Sequence, residues 1–180
     1  DWTDAYARHG QNLQLIGMND PEKRWVLKNP SHMTALDALM SVYPDALVVS
    51  THRDPVSCIA SSCSLSAATT AGHSETFVGG VIGHTQLDLW SRAYHAFHDA
   101  RPRYDPAQFV DVDFADLQGD PVGTVRGVYD AFGLSLSAEA EEQVRLIDAE
   151  ARSGHARPSH HYSLKDYGLS EARVREAFAR

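Results

Sequence analysis

The stretch from residue 46 to residue 65 constrains the fold of this chain more than any other, because it joins a strand to a helix through a polar corner. It begins Ala-Leu-Val-Val-Ser-Thr-His-Arg-Asp-Pro, and its apolar, β-branched run is too short for a helix and predicts a strand. Asp54 is a good N-cap and Pro55 suits the first helical position. A helix is therefore predicted to begin at this corner and to continue to about Thr70.

Arg53 and Ser61 are the candidate binding residues at the corner. Arg53 leaves the carboxyl end of the predicted strand, where open α/β sheets bind their ligands. Ser61 follows eight residues later, about two helical turns along, with Ser57 and Ser64 near the same face. A guanidinium fork with converging hydroxyls suits a phosphate, which would lie beside the helix if Asp54 already caps its tip. The same residues also fit a capped turn followed by solvated serines, and the local pattern leaves both interpretations open.

The remaining sequence predicts an α/β fold with a parallel sheet, in a single domain over residues 1–180. Further short strands are predicted over residues 24–28 and 108–112, and the first of them forms a βαβ unit with the strand before Arg53. Residues 69–83 are rich in glycine, threonine and serine and predict a loop or a mobile lid. Apolar spacing and capping residues predict helices over residues 1–17, 30–43, 82–101, 121–132, 137–151 and from 170 onward.

Composition narrows the class of protein. The chain has 180 residues, enough for a sizeable core, and its net charge of −8 disfavours a general nucleic-acid binder. It contains no apolar run long enough to span a membrane and no signal peptide, so a cytoplasmic location is expected.

Cys58 and Cys63 lie five residues apart on the predicted helix, where their side chains diverge, so both are expected to be free thiols.

Five segments, spread over nearly the whole chain, form a recognisable combination: Arg24-Trp-Val-Leu-Lys-Asn-Pro-Ser-His32, Tyr43-Pro-Asp-Ala46, Thr51-His-Arg-Asp-Pro55 with Ser61, residues 109–121 and residues 161–169. Together they resemble one enzyme family, the sulfotransferases that use 3′-phosphoadenosine-5′-phosphosulfate (PAPS), and in particular its bacterial branch. It implies a P-loop NTPase-like three-layer fold with a parallel sheet and a helix-rich C-terminal half. In that family an arginine and a serine eight residues apart hold the 3′-phosphate of PAPS, which matches Arg53 and Ser61.

The resemblance implies further site residues. His32 corresponds to the catalytic base, although it lies two residues further from Lys28 than in the family's Lys-Thr-His stretch; a local hydrogen bond in a helix's first turn is the alternative. Lys28 would contact sulfonate or phosphate oxygens; the alternative is an exposed lysine at the end of a strand. Phe114 stands where relatives place a tyrosine against the adenine, and it equally fits a core position. Arg157 is a candidate second phosphate ligand. No metal is implied.

One segment of the family pattern is missing. Relatives begin with a strand, a glycine-containing loop and a helix that cradle the 5′-phosphosulfate. The sequence as given starts downstream of that position, so it is expected to be the C-terminal portion of a larger enzyme with an incomplete sheet; a reduced relative with another function is the alternative. An open sheet edge is suited to a second copy of the chain or to a partner chain.

Two functional hypotheses follow from these residues. The first is a sulfotransferase that transfers a sulfuryl group from PAPS to a hydroxyl or amine of a small-molecule or lipid acceptor. The alternative is a non-catalytic nucleotide-binding or interaction module that keeps the 3′-phosphate site. A P-loop kinase remnant is disfavoured, because the sequence has no G-x-x-x-x-G-K-[ST] motif.

Overall fold

A computed structural model of the chain describes residues 2–153 and 163–179. Within that part of the chain, two short parallel strands accompany eight α-helices. The strands are β1 (Val48–His52) and β2 (Phe109–Asp113). The helices are α1 (Thr3–Ile16), α2 (Leu36–Val42), α3 (Pro55–Thr70), α4 (Gly79–Ala100), α5 (Phe114–Gly119), α6 (Pro121–Ala131), α7 (Ala138–Arg152) and α8 (Glu171–Phe178). The α/β class with a small parallel sheet is as predicted.

The chain divides into two compact units. The first contains Asp1–Ala46 and Arg92–Pro106, and the second contains Leu47–Ser91 and Ala107–Arg180. Helix α4 contributes residues to both. A single domain over residues 1–180 stays a prediction.

The first unit is built on α1, α2 and the last part of α4. Tyr6 of α1 and Met40 of α2 are buried in it. The carboxylate of Asp37 links the two chain segments of this unit. It accepts hydrogen bonds from the Tyr104 hydroxyl at 2.7 Å and from the guanidinium of Arg103. These bonds hold the pKa of Asp37 below its ordinary value, chiefly through Tyr104.

The second unit holds the sheet and the larger apolar core. Strands β1 and β2 pair in parallel with Val48 opposite Phe109 and His52 opposite Asp113. Gly83 of α4 approaches Tyr167 closely, since a Cβ on Gly83 would lie 2.0 Å from the Tyr167 backbone oxygen. The buried core residues come from α3, α4, α8 and the turn between residues 164 and 169; they are Ile59, Ala60, Cys63, Ile82, Leu87, Leu164, Leu169 and Val174.

The strand predicted over residues 24–28 is wrong. Those residues are irregular, and the apolar side chains within them are exposed, with Val26 at 88%. A strand exists only where a neighbour completes its hydrogen-bond ladder, and no described strand pairs with this segment. The predicted βαβ unit over residues 24–52 is therefore wrong as well, and the parallel partner of β1 is β2.

The helix predictions are largely confirmed, because their end signals are local. Asp54, Asp120, Ser137 and Ser170 each accept a hydrogen bond from a backbone N–H in the first turn of the following helix. The predicted loop is shorter than expected: α3 extends to Thr70 and α4 begins at Gly79. Within the described residues, no helix is both long and apolar enough to cross a bilayer.

The two thiols are expected to react differently. Both cysteines are free, as predicted; Cys63 is buried in the core and Cys58 is exposed. Burial raises the pKa of Cys63 to about 11, and loss of hydration also raises that of Cys58. Since the thiolate is the reactive form, an aromatic disulfide reagent at pH 8 should label about one thiol rapidly in the folded protein and both after denaturation. Rapid labelling of both thiols in the folded protein would contradict this packing.

Candidate functional site

The sheet register places two predicted site residues side by side. His52 is opposite Asp113, so the next residues, Arg53 and Phe114, directly follow the carboxyl ends of two neighbouring strands. The guanidinium carbon of Arg53 lies 4.7 Å from the centroid of the Phe114 ring. This distance is a cation–π contact, and it orients the planar guanidinium over the ring. The sequence predicted a role for each residue but not their contact.

Arg53 has no ion-pair partner among residues 2–153 and 163–179, and its side chain is exposed. Other arginines in the same range pair with carboxylates, as Arg126 does with Glu141 at 2.8 Å and Arg152 with Asp148 at 2.8 Å. The N–H groups of Arg53 are thus available to an anion from outside the chain.

Asp54 caps α3 as predicted. One of its carboxylate oxygens accepts hydrogen bonds from the Ser57 backbone N–H at 3.1 Å and the Ser57 hydroxyl at 3.2 Å. The other accepts a hydrogen bond from Arg175 at 2.9 Å. Loss of hydration favours the neutral acid, but the bonds from Ser57 and Arg175 outweigh it and keep the pKa of Asp54 below its ordinary value. Both Ser57 donors at the tip of α3 are therefore already engaged.

Ser61 lies on α3 one turn beyond Ser57 and is half-buried. Its hydroxyl makes no hydrogen bond with any other residue that the structure describes, whereas the neighbouring Ser62 donates to Gln86 at 2.6 Å. Ser61 therefore keeps both a donor and an acceptor for a ligand beside the helix.

A histidine–aspartate pair on the sheet was not singled out by the sequence. Nε2 of His52 lies 2.7 Å from the Asp111 carboxylate across the two strands. An ionised carboxylate only accepts, so Nε2 carries the proton in this bond. Sequence alone offers no signal for the pair, because the strand register brings together two residues that lie 59 apart in the chain.

His32 lies in the first unit, in the short 3₁₀ helix Pro30–Ala35 that Asn29 caps through a bond from the Ser31 N–H at 3.0 Å. Its Nδ1 is 2.7 Å from the Tyr6 hydroxyl. Burial lowers the pKa of His32, and the nearby His9 lowers it further. His32 Nε2 makes no hydrogen bond with the described residues, which leaves it as the ring atom for a substrate.

Tyr6, His9 and Tyr43 complete a cluster around His32 that sequence reasoning missed. Nδ1 of His9 lies 2.7 Å from the Tyr43 hydroxyl, and the rings of Tyr6 and Tyr43 meet edge to face at 6.4 Å. Burial raises the pKa of both tyrosines, so both are neutral phenols near pH 7. Tyr43 belongs to a segment that carried the family resemblance, but nothing local linked it to His9.

The remaining predicted site residues are not brought into these groups. Lys28 also belongs to the first unit, where it is exposed on the irregular segment and makes no ion pair with the described residues. The second unit contains Arg53, Ser61 and Phe114. Arg157 lies outside the described residues.

Comparison with known proteins identifies the family. The sequence model of the Sulfotransferase family matches residues 2–138. The chain belongs to the sulfotransferase family. Its predicted membership of the bacterial branch is confirmed by relatives from mycobacteria.

Among solved structures, sulfotransferase STF1 from Mycobacterium tuberculosis is 54% identical with a TM-score of 0.89, and the alignment covers 99% of this chain and 46% of that one. Sulfotransferase STF9 from Mycobacterium avium is 25% identical with a TM-score of 0.85, over 99% of this chain and 45% of that one. These neighbours confirm the P-loop-like fold class of this sulfotransferase-family chain.

A curated relative is also a sulfotransferase. Omega-hydroxy-beta-dihydromenaquinone-9 sulfotransferase Stf3 from Mycobacterium bovis is 32% identical over 117 residues, 62% of this chain and 29% of that protein. The corresponding protein from Mycobacterium tuberculosis matches to the same extent. The chain thus spans less than half the length of these relatives.

Proposed function

We propose that this chain forms part of a PAPS-dependent sulfotransferase, in which Arg53 and Ser61 bind the 3′-phosphate of the nucleotide. The observation that carries this proposal is the state of Arg53: it is held over Phe114 and has no carboxylate partner among the described residues. The free N–H groups of Arg53, together with the half-buried hydroxyl of Ser61 eight residues later, suit a phosphate that accepts several hydrogen bonds. Phe114 supplies an apolar ring for the adenine side of the nucleotide.

The proposed reaction transfers a sulfuryl group in line. The acceptor oxygen or nitrogen attacks the sulfur, the bond between sulfur and the 5′-phosphate oxygen breaks, and adenosine 3′,5′-bisphosphate leaves. His32 takes the proton from the acceptor at Nε2, since Nδ1 is engaged with Tyr6. Lys28 provides positive charge for sulfonate or phosphate oxygens. PAPS serves as a co-substrate, and the proposed reaction requires no metal.

The acceptor is proposed to carry a hydroxyl on a small molecule or lipid. The name of the mycobacterial relative Stf3 specifies a hydroxylated dihydromenaquinone, which supports a hydroxyl acceptor over an amine. A cytoplasmic location and a second copy or partner chain at the sheet edge belong to the same proposal.

Calorimetric titration tests the nucleotide site. Adenosine 3′,5′-bisphosphate should bind, and ADP, which lacks the 3′-phosphate, should bind at least about tenfold more weakly, the effect of losing one or more charge-assisted hydrogen bonds. Equal affinity for the two nucleotides, or no binding of the bisphosphate, would contradict the assignment. Nucleotide binding without sulfuryl transfer from PAPS to a hydroxylated acceptor would favour a non-catalytic nucleotide-binding module.

A further inference from the structure

The carboxylate that caps α3 belongs to the residue that follows the proposed phosphate ligand Arg53. Asp54 directly follows Arg53 in the chain, and its low pKa keeps it ionised near pH 7. An ionised carboxylate at this place would act against anion binding in two ways: it would repel the phosphate, and it would compete for the guanidinium of Arg53. Yet the cap requires an acceptor at position 54, because Ser57 donates both its N–H and its hydroxyl to it.

Arg175 pairs with this carboxylate in the structure. Helix α8 packs against α3, and Nη1 of Arg175 donates to the Asp54 carboxylate at 2.9 Å across 121 residues of sequence. The contact engages the carboxylate oxygen that Ser57 leaves unused. With Asp54 paired to Arg175, Arg53 remains on the Phe114 ring without a carboxylate partner among the described residues.

We propose that Arg175 is a positioning residue of the nucleotide site, and that it acts by neutralising Asp54 so that Arg53 stays available for the 3′-phosphate. The inference rests on the proposed function of Arg53. Arg175 needs no contact with the nucleotide for this role. Nucleotide binding is therefore proposed to depend on helix α8, although α8 lies far from Arg53 in sequence.

The chain offers a matched control on the same helix. Arg173 is an exposed arginine two positions before Arg175, and it lines a shallow groove with His84 and Asp88 instead of reaching Asp54. The substitutions Arg173→Gln and Arg175→Gln change the net charge equally and alter the same helix. Long-range loss of positive charge would affect both variants, whereas loss of Asp54 neutralisation would affect only Arg175→Gln.

The experiment is a calorimetric titration of adenosine 3′,5′-bisphosphate into wild type, Arg175→Gln, Arg173→Gln, Asp54→Asn and the double variant Asp54→Asn with Arg175→Gln. Asparagine preserves the cap and removes the charge. Arg175→Gln should weaken binding about three- to tenfold, the scale of one incompletely screened charge near a phosphate. Arg173→Gln should change affinity by less than about twofold. In the Asp54→Asn background, Arg175→Gln should have almost no effect.

Three outcomes would overturn the proposal. The first is an Arg175→Gln affinity equal to that of Arg173→Gln. The second is a full Arg175→Gln loss that persists in the Asp54→Asn background, which is the result expected if Arg175 only supports the packing of α8 or binds the nucleotide directly. The third is a failure of the wild-type protein to bind the bisphosphate, which would also rule out the proposed 3′-phosphate site. The wild-type titration alone distinguishes this outcome from the other two.

Discussion

Replacing His32 with alanine should lower the turnover of the proposed sulfotransferase by about 10²–10⁴-fold, the range for loss of a general base, and leave nucleotide affinity nearly unchanged. The reason is that the variant loses the imidazole nitrogen proposed to take the acceptor's proton. Steady-state turnover with PAPS and a hydroxylated acceptor, together with bisphosphate titration of the same preparation, separates the two effects. Turnover equal to wild type would remove His32 from the mechanism.

The acid limb of the pH profile provides a second measurement on the same residue. A base works only when neutral, and burial together with His9 lowers the pKa of His32 below the ordinary 6.5. Turnover should therefore be retained to a lower pH than an unperturbed histidine would allow. His9→Ala is the matched control: His32 keeps its bond to Tyr6, and the acid limb should move to higher pH because one source of the lowering is gone.

The lowered pKa of His32 also makes the free energy of unfolding depend on pH. The folded state binds the His32 proton less tightly than the unfolded chain does, so protonation of His32 favours unfolding. The contribution of His32 to the free energy of unfolding is therefore fully present above pH 6.5 and is lost as the pH falls toward the pKa of the folded state. His32→Ala should remove this part of the pH dependence of the free energy of unfolding. Denaturant titrations at several pH values between 5 and 8 measure it.

The parts of the fold that could be predicted from sequence are those specified by neighbours along the chain. The helix beginning at Pro55 was predicted because its cap, Asp54, is one residue away and accepts a bond from Ser57. The strand at residues 24–28 was predicted wrongly from the same kind of local pattern. A β-branched and apolar run indicates a preference, but the strand forms only when a neighbouring strand is present, and that information is not local.

In the candidate site too, neighbours along the chain specify some features, and contacts between distant segments specify the others. Arg53 and Ser61 could be selected because they lie only eight residues apart, at a strand end and on the helix that follows, and the family resemblance assigns them a ligand. The contact between Arg53 and Phe114 depends on strand register, and the bond between Asp54 and Arg175 depends on the packing of α8 on α3. Side chains that meet in this way carry no periodic signal in the sequence. Their contribution to function becomes visible only in the folded chain.

Replacing Arg53 with alanine should weaken binding of adenosine 3′,5′-bisphosphate by about 1.5–3 kcal/mol, or about 10- to 150-fold, the value for hydrogen bonds to a charged group. The guanidinium is already oriented by Phe114 and pairs with no described carboxylate, so little reorganisation accompanies phosphate binding. ADP affinity should change much less, because ADP has no 3′-phosphate for Arg53 to bind. Titration calorimetry with both nucleotides measures the difference.

Three matched variants separate the charge of Arg53 from its geometry. Arg53→Lys keeps the charge and loses the planar fork, so it should recover only part of the affinity. Phe114→Leu keeps the arginine and removes the ring beneath it, so it should weaken binding through poorer orientation, by less than Arg53→Ala. Arg173→Ala removes the same charge elsewhere in the second unit and should bind as wild type does. If Arg53→Ala reduced the affinities for ADP and the bisphosphate equally, Arg53 would contact a feature shared by both nucleotides, and it would not be the residue that recognises the 3′-phosphate.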